Sequence, residues 1–205
     1  AHQLLDNMVW SLASGVTIWT AFEVLMWWAM ANGWIELTTW AYSPIWFVAV
    51  FFLIPVWESF YFYWIHRALH IPFLYKHVHA LHHRNINVGP WSGLSMHPVE
   101  HLIFLGSVLV HFVVAAHPVH ILFHLQYYAL TAATTHTGFE GMVFKDKNRL
   151  KLGTFHHQMH HRYFECNYGS LELPWDKWFG SFHDGTVESD TKIRERRKKF
   201  TNGAK

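Results

Sequence analysis

Cysteine is nearly absent from this chain: Cys166 is the single one in 205 residues. One thiol excludes an internal disulfide framework, a multi-thiolate zinc site and a cysteine-held iron–sulfur cluster. Basic residues are missing from 1–66 and again from 85–144, so all 16 Lys and Arg fall between Arg67 and Arg84 or from Lys145 onward. Charge confined in this way argues against nucleic acid as a partner and marks sidedness instead. There is no CxxCH haem-attachment motif, no GxGxxG dinucleotide fingerprint, no repeat of useful length and no low-complexity tract. The chain opens on Ala1, and targeting is not read from that end.

What is abundant is apolar and aromatic surface. Hydrophobic residues make up 51% and charged residues only 15%, with 12 Trp, well away from an ordinary soluble composition. Four apolar stretches approach the ~20 residues that cross a ~30 Å hydrocarbon layer as a helix: Met8–Ala31, Ala41–Ile65, Val99–Ala116 and Val119–Thr135. The turns at Asn32-Gly33 and Ala116-His117-Pro118 carry no Lys or Arg, whereas 66–98 and 136–205 carry all of them. The positive-inside rule then puts both basic segments and the amino terminus on the cytoplasmic side. The expected fold is all-α: an integral, multi-pass membrane domain of four helices with a cytoplasmic helical cap carrying a His-rich two-metal site. It is expected to be one domain over 1–205, with the transmembrane helices and first two histidine clusters in 1–135, the cap and third cluster in 136–186, and a basic tail in 187–205. A soluble bundle with an unusually apolar core is the alternative.

Nineteen histidines make chance pairs common. Independent placement yields roughly two HxxxH pairs, but only about 0.16 occurrences of HxxHH. The chain has two such triples, His79, His82, His83 and His157, His160, His161, besides the pair His66 and His70. On a helix, positions i, i+3 and i+4 share a face, so each triple is expected to aim three imidazoles at one place. Eight histidines exceed the needs of one metal and suit two, and neutral imidazole suits first-row transition metals. His136, at the end of the fourth helix, is expected to be a ninth ligand, and His156 adjoins the last triple as a further candidate. Glu140, four residues on, shares a face with His136 if the helix continues through Gly138, and is expected either to ligate the same centre or to orient one of its histidines. Glu58, two turns before His66, either lines a substrate path or bonds a ligand histidine, since an intramembrane carboxylate is a functional candidate by default. His97 either caps the third helix or sits behind the ligands, and His111, His117, His120 and His124 are read as structural, with a second metal or pigment site as the alternative.

The set HRALH, HALHH and HHQMHH resembles, in order and spacing, the histidine boxes of the membrane fatty acid hydroxylase and sterol desaturase superfamily. SMHPVEH at 95–101, HTGFE at 136–140, NYGS at 167–170 and WDKWFGSFHDGT at 175–186 also match. The resemblance spans about 66–186, and HTGFE points to the sterol-oxidising branch. It implies two iron ions under a cytoplasmic cap, with O2 as co-substrate for hydroxylating or desaturating a C–H bond of a sterol or fatty-acyl lipid. Such chemistry draws electrons from an external donor protein, cytochrome b5-like or ferredoxin-like, since the chain carries no redox group of its own. Two other functions use the same residues: a non-catalytic metal-binding subunit of a membrane complex, and a zinc-dependent membrane hydrolase.

Overall fold

The computed structural model describes residues 2–145 and 148–203. Helix α1 runs from His2 to Ala31 and α2 from Pro44 to Leu69. A short α3 (Pro72–His77) leads into a 3₁₀ turn at His79–Arg84. Helix α4 (Pro98–Leu105) tightens into a 3₁₀ stretch at Gly106–Phe112, and α5 spans Pro118–Thr135. Beyond it lie strands β1 (Gly141–Phe144) and β2 (Asn148–Lys151), then α6 (Thr154–Tyr163), α7 (Trp175–Trp178) and α8 (Val187–Gly203).

Proline sets where the helices begin. Pro44, Pro72, Pro98 and Pro118 each open a helix, a position where the missing N–H costs nothing and the fixed φ is already helical. The tripeptide His-Pro-Val occurs at both 97–99 and 117–119, with the same use. His97 accepts from the Val99 N–H and His117 from the Val119 N–H, each at 3.2 Å.

Helix α1 contains a π-helical stretch at Ser11–Val16. There Ser14 Oγ lies 2.8 Å from His101 Nδ1, and a Cβ on Gly15 would sit 3.2 Å from His101 Nε2. Small residues thus bring α1 close against α4. The core between α1, α2, α4 and α5 is formed by side chains such as Met26, Leu69, Phe104, Leu105, Ile121 and Leu125. The outward faces of α1 and α2 stay apolar, with Val24 63%, Phe52 73% and Ile45 86% exposed. Both helices are long and apolar enough to cross a membrane, and a contiguous greasy exterior of this kind calls for lipid or a partner.

At the end of the bundle away from the histidine clusters, the two connections without Lys or Arg meet. Thr38 N–H donates to the Ala116 carbonyl and Ala116 N–H to the Glu36 carbonyl, both at 3.0 Å. The Trp46 indole donates to Ala115 O at 3.0 Å.

Two expectations are corrected. The chain is mostly helical but not all-α, because β1 and β2 form an antiparallel hairpin with Gly141 opposite Lys151. Arg149 and Lys151 therefore lie on one arm of a hairpin. The helix ending at Thr135 also does not continue to Glu140: His136 has φ −110°, and Gly138 adopts φ +82°, a left-handed conformation glycine takes without strain.

Gly93 lies where the connection before α4 crosses α5, and a Cβ there would sit 2.2 Å from the Ala132 carbonyl oxygen. Gly93→Ala is expected to force the two segments apart and cost about 1–3 kcal/mol. Thermal unfolding in detergent, compared with wild type, measures it.

Candidate metal centre

Four elements supply the histidines. The last turn of α2 and its C-cap present His66 and His70; the 3₁₀ turn presents His79, His82 and His83; α6 presents His157, His160 and His161; the C-cap of α5 presents His136. Their ring nitrogens converge in two adjoining groups, within each of which the ligand atoms all lie within 4.8 Å of one another. The first is His66, His70, His79, His83 and His160; the second is His82, His136, His157 and His161. All are buried except His70, which is half-buried.

Each HxxHH triple is divided between the groups instead of aiming at one place. His79 and His83 enter the first group and His82 the second, while His160 enters the first and His157 and His161 the second. The groups adjoin closely enough, with 5.8 Å between the ring centres of His82 and His83 and of His160 and His161, for one turn of helix to serve both.

The tautomers are fixed from behind. His66 Nδ1–H donates to the Tyr168 carbonyl at 2.7 Å, His160 Nδ1–H to Cys166 O at 2.7 Å, and His136 Nδ1–H to Ala132 O at 2.8 Å. A carbonyl only accepts, so in each neutral ring Nε2 is left with its lone pair facing the cluster. His79 Nδ1 is bound by Glu100 Oε1 at 2.7 Å, the carboxyl–histidine pairing that orients metal ligands elsewhere.

Inside the groups, Nε2 atoms approach one another at 3.0–3.2 Å: His79 with His66 and His83, His160 with His70 and His83, and His161 with His136 and His157. A ring nitrogen carries one proton or one lone pair, so the Nε2 atoms of His79, His83, His160 and His161, with two such neighbours each, exceed what mutual hydrogen bonding satisfies. A cation satisfies them all. Metal–nitrogen bonds of about 2.1 Å at right angles put neighbouring donors about 3.0 Å apart, matching the separations here. Burial, followed by the neighbouring imidazoles, holds His83, His160 and His161 well below the usual histidine range. His136 is pushed down to about 4, chiefly by burial. Neutral imidazole is the ligand form, and an all-nitrogen donor set fits a first-row transition metal.

The other residues singled out from the sequence lie outside both groups. His156 Nε2 pairs with Asp176 Oδ2 at 3.3 Å. Glu140 Oε2 accepts the Phe155 N–H at 3.0 Å, placing a carboxyl at the first turn of α6, where the helix dipole favours it. His97 caps α4 as described. Glu58 contacts His124, which belongs to neither group, and lines a cavity whose upper wall includes His66, His79, His82, His136 and His157. That cavity is otherwise walled by Phe62, Phe104, Tyr128 and neighbouring apolar groups. It follows α5 from Tyr127 to His136, a rise of about 13 Å.

Two acids escaped the sequence reading. Glu100 lies within SMHPVEH, and an acidic residue in an apolar helix is the signal that singled out Glu58; the same rule reaches Glu100. Asp176 had no such signal. Its carboxyl accepts from Tyr168 N at 2.9 Å, Gly169 N at 2.8 Å and Ser181 Oγ at 2.6 Å, and so braces the loop whose carbonyl holds His66.

A mostly helical fold with two very apolar helices, holding two adjoining all-histidine ligand sets at the head of an apolar cavity, defines the class as a membrane-associated histidine-cluster protein. The fatty acid hydroxylase family profile matches residues 50–181, and the chain belongs to that family. It is 29% identical over 197 residues to the putative Delta(7)-sterol-C5(6)-desaturase 2 of Arabidopsis thaliana, covering 85% of this chain and 66% of that protein. It is 33% identical over 163 residues to lathosterol oxidase of Rattus norvegicus, covering 77% and 50%. It is 34% identical over 172 residues to the Delta(7)-sterol-C5(6)-desaturase of Nicotiana tabacum, covering 78% and 55%. The chain thus spans between half and two thirds of the length of these relatives. No solved structure matches it.

Glu100→Gln preserves shape but exchanges a carboxyl for an amide behind His79. Metal affinity is expected to fall by about 10- to 100-fold, read as metal bound per chain after dialysis against a graded chelator.

Proposed function

We propose that the nine histidines hold two iron ions and that the chain is a membrane-bound oxidoreductase using O2 to hydroxylate or desaturate a lipid C–H bond. The observation that carries this reading is the position of the two ligand sets, buried at the head of an apolar cavity that opens among membrane-type helices. The relatives' names, sterol desaturase and lathosterol oxidase, point to a sterol-type lipid. When bound, a redox metal pair supplies O2 reduction and attack on an unactivated C–H bond, which zinc, lacking redox states, does not.

The chain's own residues do the rest. Tyr168 O, Cys166 O, Ala132 O and Glu100 lock the ligand tautomers, so the centre is organised before a substrate arrives. Phe62, Phe104 and Tyr128 exclude water beside the histidines and give the lipid an apolar slot. Tyr127 donates to Glu172 at 2.7 Å, tying α5 to the loop of the cap beside the cavity.

Four crossings are the topology we favour, with the histidine cap and the amino terminus on the cytoplasmic side and 1–205 acting as a single oxygenase domain. The two connections without Lys or Arg meet at the far end of the bundle, as the positive-inside rule requires. Helix α5 is about 27 Å long, and the 3₁₀ stretch, with a rise of ~2 Å per residue, lengthens Pro98–Phe112 to about 26 Å. Both lengths are close to the ~30 Å hydrocarbon thickness.

Hydroxylation consumes O2, two electrons and two protons to give an alcohol and water; desaturation consumes the same to give an alkene and two waters. The electrons come from a separate protein, cytochrome b5-like or ferredoxin-like, docked on the cap. Lys145, Lys151, Lys192, Arg194 and Arg196 are exposed there and suit an acidic donor. Of the basic positions considered from sequence, the side chains at 147, 149 and 197–199 lie outside the described residues.

The test is reconstitution in lipid vesicles with iron, a cytochrome b5 and its reductase, and lathosterol, followed by mass spectrometry. A product that has gained one oxygen or lost two hydrogens is expected; iron-loaded protein that consumes no O2 above the uncoupled background would sink the reading. His136→Ala is expected to hold fewer than two irons per chain and to lose oxidation. Retention of both would remove His136 from the ligand set.

A further inference from the structure

The cavity below the histidines is apolar along most of its length, yet it meets a built polar group well away from the metal ligands. Glu58 is on α2, eight residues and about 12 Å before His66, and lines the cavity with its side chain only 6% exposed. Both of its contacts fall on one oxygen. Ser107 Oγ donates to Oε1, and His124 Nε2 lies 2.5 Å from the same atom. Behind His124, its Nδ1 is 3.0 Å from His111 Nε2, so α2, the Gly106–Phe112 stretch and α5 together fix this carboxyl in place. Among the described residues no donor or acceptor reaches Oε2. The other two carboxyls of the cavity wall behave differently: Glu100 Oε2 is fully enclosed and so cannot meet a ligand, and Glu172 is exposed and accepts from Tyr127.

A polar oxygen in an apolar slot costs free energy until something hydrogen-bonds it. We infer that Glu58 is a polar anchor for the substrate, binding the hydroxyl of an uncharged lipid alcohol that enters hydroxyl first and lies with its apolar body toward the histidines. This inference rests on the lipid-oxidising reading above and deepens it. A hydroxyl both donates and accepts, so it matches Oε2 whether the carboxyl is ionised or protonated. A lipid carboxylate or phosphate would instead carry its own charge, with no cation beside it, into a low-dielectric slot, and a plain hydrocarbon would leave Oε2 unpaired. The anchor therefore selects among lipids by their head and fixes how far along the cavity the oxidised carbon sits.

Binding to the iron-loaded 205-residue chain in detergent tests this directly, with tritiated cholesterol and tritiated 1-hexadecanol as probes. Each alcohol is competed against its own unlabelled form and against the matching hydrocarbon, 5α-cholestane or hexadecane, corrected for micelle partition. At least one alcohol is expected to bind saturably and to outcompete its hydrocarbon by about tenfold or more, the discrimination expected of a buried polar group left unpaired. Glu58→Gln should keep most of that preference and Glu58→Leu should abolish it, with iron content unchanged in both. Equal competition by hydrocarbon and alcohol in the wild type would mean that water alone meets Glu58, and would overturn the inference. So would the absence of saturable binding by either alcohol, or a full hydroxyl preference in Glu58→Leu. The wild-type comparison decides even if Glu58→Leu fails to fold. Iron content and O2-dependent oxidation are read on the same samples, so loss of these with the hydroxyl preference intact counts against the catalytic reading and not the anchor.

Discussion

Nitrogen lone pairs crowded within hydrogen-bond distance of one another repel unless a cation sits among them, and the architecture around this cluster is organised to hold them there. Each ring must be neutral, fixed in tautomer and fixed in rotation. Burial supplies the first requirement. Backbone carbonyls at Ala132, Cys166 and Tyr168, with Glu100, supply the second and third. Those acceptors come from different parts of the chain, so the ligand set exists only when the bundle and the cap are docked. Asp176 extends the dependence outward, since its hydrogen bonds to Tyr168, Gly169 and Ser181 shape the loop that steadies His66.

The apolar exterior and the polar interior follow from one constraint. A helix surrounded by hydrocarbon keeps its large apolar side chains outward and turns its few polar groups in, where each must find a partner. Thus α2 exposes Ile45 and Phe52 while burying Glu58, Ser59 and His66. Ser59 accepts from Trp175 and Ser170 of the cap, Glu58 is bound by Ser107 and His124, and His66 joins the first histidine group. One buried stripe of α2 thereby connects the cap, the cavity and the cluster. Family membership and the names of the sterol-directed relatives agree with this arrangement.

Where sequence reasoning fell short, the cause was distance along the chain for the histidine groups and local backbone conformation for the segment after His136. The two HxxHH triples were legible because their spacing is too rare to be accidental, and His136 because helix lengths and charge returned it to the same side. Division of each triple between two groups was not legible, because spacing on one helix says nothing about how far apart two centres lie. Glu140 was read as continuing a helix past His136; Gly138 ends that possibility by turning left-handed, and the carboxyl caps α6 instead. The β-hairpin was hidden because the basic residues from 145 onward dominate that stretch and its strands are only four residues each.

Composition and spacing alone carry the inventory: apolar runs of membrane length, basic charge confined to two segments, and histidines at helical spacing in three boxes. These are local properties, set by composition and by the 3.6-residue period, and they persist whatever the chain folds against. Packing of the helices settles which histidines share a group, that Glu100 and not Glu140 lies behind one of them, and that Glu58 faces the cavity with one oxygen unpaired. Each of these depends on residues far apart in sequence, 21 between His79 and Glu100 and 66 between Glu58 and His124. No local periodicity encodes such pairings, because they are fixed by how whole helices pack.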